Sequence, residues 1–163
     1  MKTNTKTLAL SGVFAALICL FTMFLSVPVP GAGYVNLGDL AILLASSVVG
    51  LPAVAAAGVG SALADLFKGY PMYIPGTAVV KAAVALTAVL FAKRGRTPFF
   101  AVGAVAAELV MVAGYFLYEF AVWNFAYAVA AAPPNLAQAG VNAAAAILLF
   151  APTLRLKRYL HRS

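Results

Sequence analysis

The stretch "GSALADLFKGYPMYIPGTAVVKA", residues 60–82, sets Asp65, Lys68, Tyr70, Tyr73 and Lys81 between runs of small and apolar residues. If the flanks are lipid-facing helices, these charges sit at a membrane surface or inside a bundle. The composition decides in favour of lipid: of 163 residues, 64% are hydrophobic and 9% charged, and the mean hydropathy of +1.00 is far above that of a water-soluble core. A β-barrel needs alternating strands of about 10 residues, whereas "AVVKAAVALTAVLFA", residues 78–92, is continuously apolar and alanine-rich. The flanks are read as membrane helices.

Working outward, six spans are expected. The first apolar run, Thr7 to Val27, ends at "SVPVPGAGYVN", residues 26–36, whose prolines and glycines interrupt a helix. It is longer than the 7 to 15 residues usual for the core of a cleaved signal peptide. The stretch from Leu37 to Leu66 is broken at "GLP", Gly50 to Pro52, which predicts a hairpin of two short helices. A fourth helix opens at Pro75 and ends at "KRGR", residues 93–96, and a fifth runs from Pro98 to Glu119. Residues 120–132 read as an interfacial helix before "PPN", and a sixth span starts near Asn135 and ends at "RLKRYLHRS". The expected fold is all-α: six transmembrane helices in one compact bundle, residues 1–163 forming a single domain.

Charge tests that count. Lys2, Lys6, Lys93, Arg94, Arg96, Arg155, Lys157, Arg158 and Arg162 fall on one side of six spans, and the opposite loops hold Lys68. The Lys and Arg bias then places both termini in the cytoplasm of a multi-pass cell-membrane protein. The net charge of +7 reports this topology and not a nucleic-acid surface. Cys19 has no partner for an intramolecular disulfide, and with His161 the lone histidine no His or Cys metal site is expected. No G-x-x-x-x-G-K-[ST] phosphate loop, H-E-x-x-H or G-x-S-x-G occurs, so no ATP hydrolysis and no enzyme activity are expected.

The polar residues concentrate in the outer half. Asn36 and Asp39 begin helix 2, Asp65 and Lys68 end helix 3, and Lys81 lies about 9 Å below Pro75 at 1.5 Å per residue. Asn135, Gln138 and Asn142 share one helix face, as do Glu108, Met111, Tyr115 and Glu119. Glu108 falls about 15 Å beyond Pro98, where an unpaired charge costs about 3 kcal/mol; it needs a partner or a proton. Structural roles compete with binding roles here: Lys81 can pair with Asp65 or Glu108 or reach the headgroups, while Asp39 and Asn135 can be helix caps. Small residues at Ala53, Ala57, Gly60 and Ala64, and the pairs Ser11 with Ala15 and Gly12 with Ala16, allow close helix approach.

The run "YVNLGDLAILLASSVVGLPAVAAAGVGSALADLFKGYPMYIPGTAVVKA", the later "GYFLYE" and "PPNLAQAGVN" resemble the substrate-binding S components of energy-coupling factor (ECF) vitamin transporters. The resemblance covers nearly the whole chain. It implies a subunit that captures a small water-soluble vitamin with high affinity and passes it inward with a transmembrane T subunit and two cytoplasmic ATPases. It further implies a lid at "SVPVPGAGYVN" and a T-subunit contact on helix 1 at Gly12 and Ala16, or at Ser11 and Ala15. Asp65, Lys81, Glu119, Asn135 and Gln138 are the expected ligand or gating contacts, with Asn36, Asp39 and Asn142 in the same polar set. Tyr70, Tyr73, Tyr115 and Trp123 offer stacking faces. No cofactor is expected. Related substrates include riboflavin, pyridoxine-like pyridines and hydroxymethylpyrimidine, among which the lining does not choose. Two other readings stay open: a self-sufficient proton-coupled carrier using Glu108, and a membrane enzyme with Asp65 or Glu108 as base.

Overall fold

The computed structural model describes residues 5–30, 33–94 and 96–162, with side chains as far as Leu154. Lys2 and the side chains of Arg155, Lys157, Arg158, His161 and Arg162 lie outside the described residues. The described residues form six α-helices: α1 (Thr5–Phe24), α2 (Gly38–Val48), α3 (Pro52–Lys68), α4 (Ile74–Ala92), α5 (Thr97–Val122) and α6 (Phe125–Arg162). A 3₁₀ turn, Pro71–Tyr73, leads into α4, and two short strands, β1 (Ser26–Pro28) and β2 (Tyr34–Asn36), join α1 to α2. By length and composition, four segments among the described residues can cross a membrane: Thr5–Phe24, Pro71–Ala92, Thr97–Val122 and Phe125–Leu154.

Helices α2 and α3 are the short pair expected from the break at Gly50–Pro52. Gly50 adopts φ +69° after α2, and Gly69 adopts φ +78° after α3, where its N–H closes on Asp65 and Leu66 carbonyls. Both are left-handed positions that favour glycine. At 11 residues, α2 reaches only about 16 Å, roughly half a hydrocarbon core. It compensates by being buried on all sides: Gly38 to Leu43 and Ala45 to Val48 are all inaccessible. It contacts α1, α4 and α6, and its residues Ile42 and Leu43 join Val84, Ala107 and Ala146 in the apolar core.

Three sequence expectations need correction. Helix 1 stops at Phe24, and Ser26 and Val27 enter a hairpin in the register Ser26↔Asn36, Val27↔Val35, Pro28↔Tyr34. A proline is tolerated at Pro28 because this is an edge strand of a two-stranded ribbon. Residues 120–132 do not form a separate interfacial helix. The stretch to Val122 completes α5, and α6 starts at Phe125, capped by the Asn124 Oδ1 that accepts the Tyr127 N–H at 2.9 Å. Finally, Pro133 and Pro134 lie inside α6 instead of ending it. The preceding turns are held from outside by packing: Ala128 and Ala131 are buried, and Tyr127 stacks on Trp123, which offsets the backbone bonds that two prolines remove.

Small residues let α1 approach α3. A Cβ on Gly60 would lie 2.5 Å from the Ala15 carbonyl oxygen, so the expected small-residue face of α3 is an internal seam, with Ala53, Ala57 and Ala64 buried along it.

A roofed polar cavity at the hairpin end of the bundle

The hairpin, the ends of α1, α3 and α5, the start of α4 and the stretch of α6 around Asn135 and Gln138 meet at one end of the bundle. They surround a narrow pocket, open at its mouth, lined by Thr22, Gly33, Tyr34, Asn36, Asp65, Tyr73, Thr77, Lys81, Tyr115, Glu119, Asn135 and Gln138. Of the residues expected from sequence, Asn36, Asp65, Tyr73, Lys81, Tyr115, Glu119, Asn135 and Gln138 come together here; Asp39, Tyr70, Trp123 and Asn142 do not line the cavity but stand behind or above it.

The lower wall is a hydrogen-bonded network. Lys81 Nζ donates to both Asp39 oxygens at 2.7 Å, with the two side chains 2% and 0% exposed. The sequence offers Asp65 or Glu108 as the lysine's partner; α2 instead carries Asp39 against α4. Nor does Asp39 cap its helix: α2 has no side-chain cap at Leu37, and Asn36 Oδ1 accepts the Gly38 N–H at 2.8 Å. Gln138 Nε2 donates to Asp39 Oδ2 at 2.9 Å, and Gln138 Oε1 accepts the Asn36 N–H at 2.7 Å. Asn142 Oδ1 accepts the Leu40 N–H at 2.8 Å, and its amide donates to the Asn36 carbonyl at 2.9 Å. Two amides one helical turn apart on α6 thus tie down the irregular entry to α2, where backbone groups would otherwise go unpaired.

The roof is aromatic. Tyr34 lies 5.1 Å from Tyr70, Tyr70 lies 6.2 Å from Tyr73, and Tyr73 lies 5.1 Å from Trp123, ring centre to ring centre. Trp123 stacks on Tyr127 at 5.0 Å. The Tyr73 hydroxyl donates to Glu119 Oε1 at 3.2 Å, and the Thr77 and Tyr115 hydroxyls pair at 3.0 Å. Tyr34 donates to Asp65 Oδ1. Burial, reinforced by that carboxylate, raises the Tyr34 hydroxyl above its ordinary range, so it stays a donor.

The hairpin is fastened to α3 twice. Lys68 Nζ donates to Ser26 Oγ at 2.6 Å and lies 4.3 Å over the Tyr34 ring, next to the Tyr34 bond to Asp65.

Several buried polar atoms have no hydrogen-bond partner: Thr22 Oγ1, Ser61 Oγ, Asp65 Oδ2, Glu119 Oε2 and both oxygens of Glu108. Three of these residues, Thr22, Asp65 and Glu119, line the cavity. No group of three metal-ligating side chains occurs among the described residues.

Thr22, Gly33, Tyr34 and Thr77 are cavity residues that the sequence does not single out. Thr77 precedes Lys81 by one turn, and Thr22 lies on the same face of α1 as Ser11 and Ala15, so periodicity is a signal for both. Tyr34 has no periodic signal because it lies in a strand of three residues.

A chain of apolar helices that gathers much of its buried polarity around a roofed cavity has the construction of a binding subunit. The model of the family described as "ECF-type riboflavin transporter, S component" matches residues 2–155. The chain belongs to this family. Among curated proteins, the S component is also similar to an "Uncharacterized protein in gap 3'region" of Pyrococcus woesei, 37% identical over 123 residues, 72% of this chain and 81% of the relative. The S component is thus a membrane protein of a transport system whose part is substrate binding.

Proposed function

We propose that this S component captures a small, water-soluble heteroaromatic vitamin or vitamin precursor. The candidates are riboflavin, named in the family description, pyridoxine-like pyridines and hydroxymethylpyrimidine. The observation that carries this reading is the cavity itself, polar side chains beneath a tyrosine roof in an otherwise apolar interior. Residues 1–163 act as one domain. Asp65, Lys81, Glu119, Asn135 and Gln138 make ligand or gating contacts, Tyr73 and Tyr115 supply ring faces, and Asn36, Asp39 and Asn142 hold these in place. Tyr70 and Trp123 close the roof, and the hairpin moves to admit the ligand.

In this reading the chain crosses the membrane six times, with both termini cytoplasmic and the hairpin end outside. Exposed Lys93, Arg94 and Arg96 at the opposite end support that orientation. Lacking a phosphate loop, the subunit draws energy from a T subunit and two ATPases. Of the two helix-1 pairs, Gly12 and Ala16 are exposed, whereas Ser11 is buried and Ala15 abuts Gly60. The T subunit therefore meets Gly12 and Ala16.

The test is mass spectrometry of small molecules released by denaturing the purified protein, after incubation with a vitamin panel. One stoichiometric vitamin, lost in Gln138→Ala, is expected. Empty protein throughout, with uptake in cells lacking any partner ATPase, would replace this reading with the carrier.

A further inference from the structure

The chain contains four acidic residues, and all are buried: Asp39 is 0% exposed, and Asp65, Glu108 and Glu119 are each 2% exposed. Against them, Lys81 is the buried cation among the described residues. Both of its short bonds go to Asp39. Lys68, the next cation along, is engaged by Ser26 and the Tyr34 ring and does not line the cavity.

The cavity's remaining polarity is therefore unbalanced. Asp65 accepts from Tyr34 through Oδ1 and keeps Oδ2 without a partner; Glu119 accepts from Tyr73 through Oε1 and keeps Oε2 without one. Thr77 stands next to Asp65, and its hydroxyl, paired with Tyr115 at 3.0 Å with either group as donor, is a neutral donor beside that carboxylate and brings no charge to it. Independently of the carboxylates, the Thr22 hydroxyl, 2% exposed and lining the same cavity, is also unpartnered. Buried carboxylate oxygens are costly unless a donor or cation meets them. Ring faces attract cations; Lys81 Nζ lies 5.2 Å over the Tyr115 ring and Lys68 Nζ 4.3 Å over the Tyr34 ring, which leaves Tyr73 as the cavity tyrosine for a ligand's charge.

We infer that the site selects a positively charged nitrogen heteroaromatic, its cationic or N–H edge between Asp65 and Glu119 and its ring against Tyr73 and Tyr115. A phosphorylated vitamin would meet two carboxylates and a lysine already paired, and is rejected. A neutral ring system binds more weakly because it leaves carboxylate oxygens without a charged donor. This inference rests on the vitamin-binding reading and narrows it.

The experiment is calorimetric titration of the full chain in lipid nanodiscs at neutral pH. The probes are thiamin as a permanent cation, pyridoxamine, whose ammonium replaces one hydroxyl of pyridoxine, and riboflavin as a neutral ring system. Pyridoxamine or thiamin is expected to bind about 10-fold or more tighter than the neutral probe, the margin separating charged from neutral hydrogen bonds. Asp65→Asn and Glu119→Gln should each remove most of that margin. These residues come from different helices, so a folding failure of one variant leaves the other as the test, and the wild-type comparison needs neither. Riboflavin binding as tightly as the cations would overturn the charge selection and leave vitamin binding intact. No binding by any probe, together with no copurifying vitamin, would overturn the vitamin reading and this inference with it.

Discussion

Removal of the Lys81 ammonium tests whether the Asp39 pair is a structural requirement. The two groups meet at 2.7 Å on both carboxylate oxygens and are essentially inaccessible. With an effective dielectric of about 20, Coulomb attraction at this separation is about 6 kcal/mol, but much of it is offset by the cost of taking both charges out of water. In Lys81→Met the attraction is gone while the cost of burying Asp39 remains. Asp39 stays at 0% exposure with Gln138 Nε2 as its remaining donor, and the expected loss is about 3–5 kcal/mol. The double variant Asp39→Asn with Lys81→Met removes both charges and keeps an acceptor for Gln138. It should recover more than half of the loss. The assay is reversible unfolding in mixed detergent micelles, followed by circular dichroism for both variants and the parent. A single variant within about 1 kcal/mol of the parent, or a double variant no more stable than the single, would refute this account of the pair.

Further outcomes follow from contacts elsewhere. Gly60→Val places a side chain where the Ala15 carbonyl oxygen would lie 2.5 Å from the new Cβ, so α1 must shift, at about 1–3 kcal/mol in the same unfolding assay. Gly12→Leu with Ala16→Leu alters an exposed face with nothing within 4 Å of a Gly12 Cβ; ligand binding should persist while uptake with the partner subunits is lost, and retained uptake would remove helix 1 from the T-subunit interface. Lys68→Met deletes the 2.6 Å bond to Ser26. It should speed hydrogen exchange of the Val27 to Val35 hairpin amides about 10-fold, and unchanged exchange would show that Lys68 does not fasten the hairpin. Gln138→Leu leaves the Asn36 N–H without its 2.7 Å acceptor. A loss of about 1–3 kcal/mol is expected, and a neutral result would mean that the amide network does not hold the start of α2.

The helices are legible in the sequence because lipid-compatible composition is a local property: each long apolar run has to satisfy its own backbone, and a helix does so within one segment. The same holds for the break at Gly50–Pro52 and for the polar face of Asn135, Gln138 and Asn142. Local reading fails where distant segments set the outcome. Pro133 and Pro134 look like a helix stop, but Ala128, Ala131 and the Tyr127 stack hold the preceding turns against α5. "SVPVPGAGYVN" looks like an irregular loop, because strands of three residues are too short to show alternation.

The site divides in the same way. Composition and residue spacing, acting along the chain, determined that this is a helical membrane protein with polarity gathered toward one end. Only the tertiary structure decided which charges neutralise one another. Residue order offers Asp65 or Glu108 as the partner of Lys81, and the burial of α2 between α1, α4 and α6 sets Asp39 against it instead. That choice leaves Asp65 Oδ2 and Glu119 Oε2, on residues that line the cavity, without a cation to meet them. Pairing depends on distances between helices, which residue order does not encode one position at a time, and it is this pairing that gives the cavity its appetite for a cation.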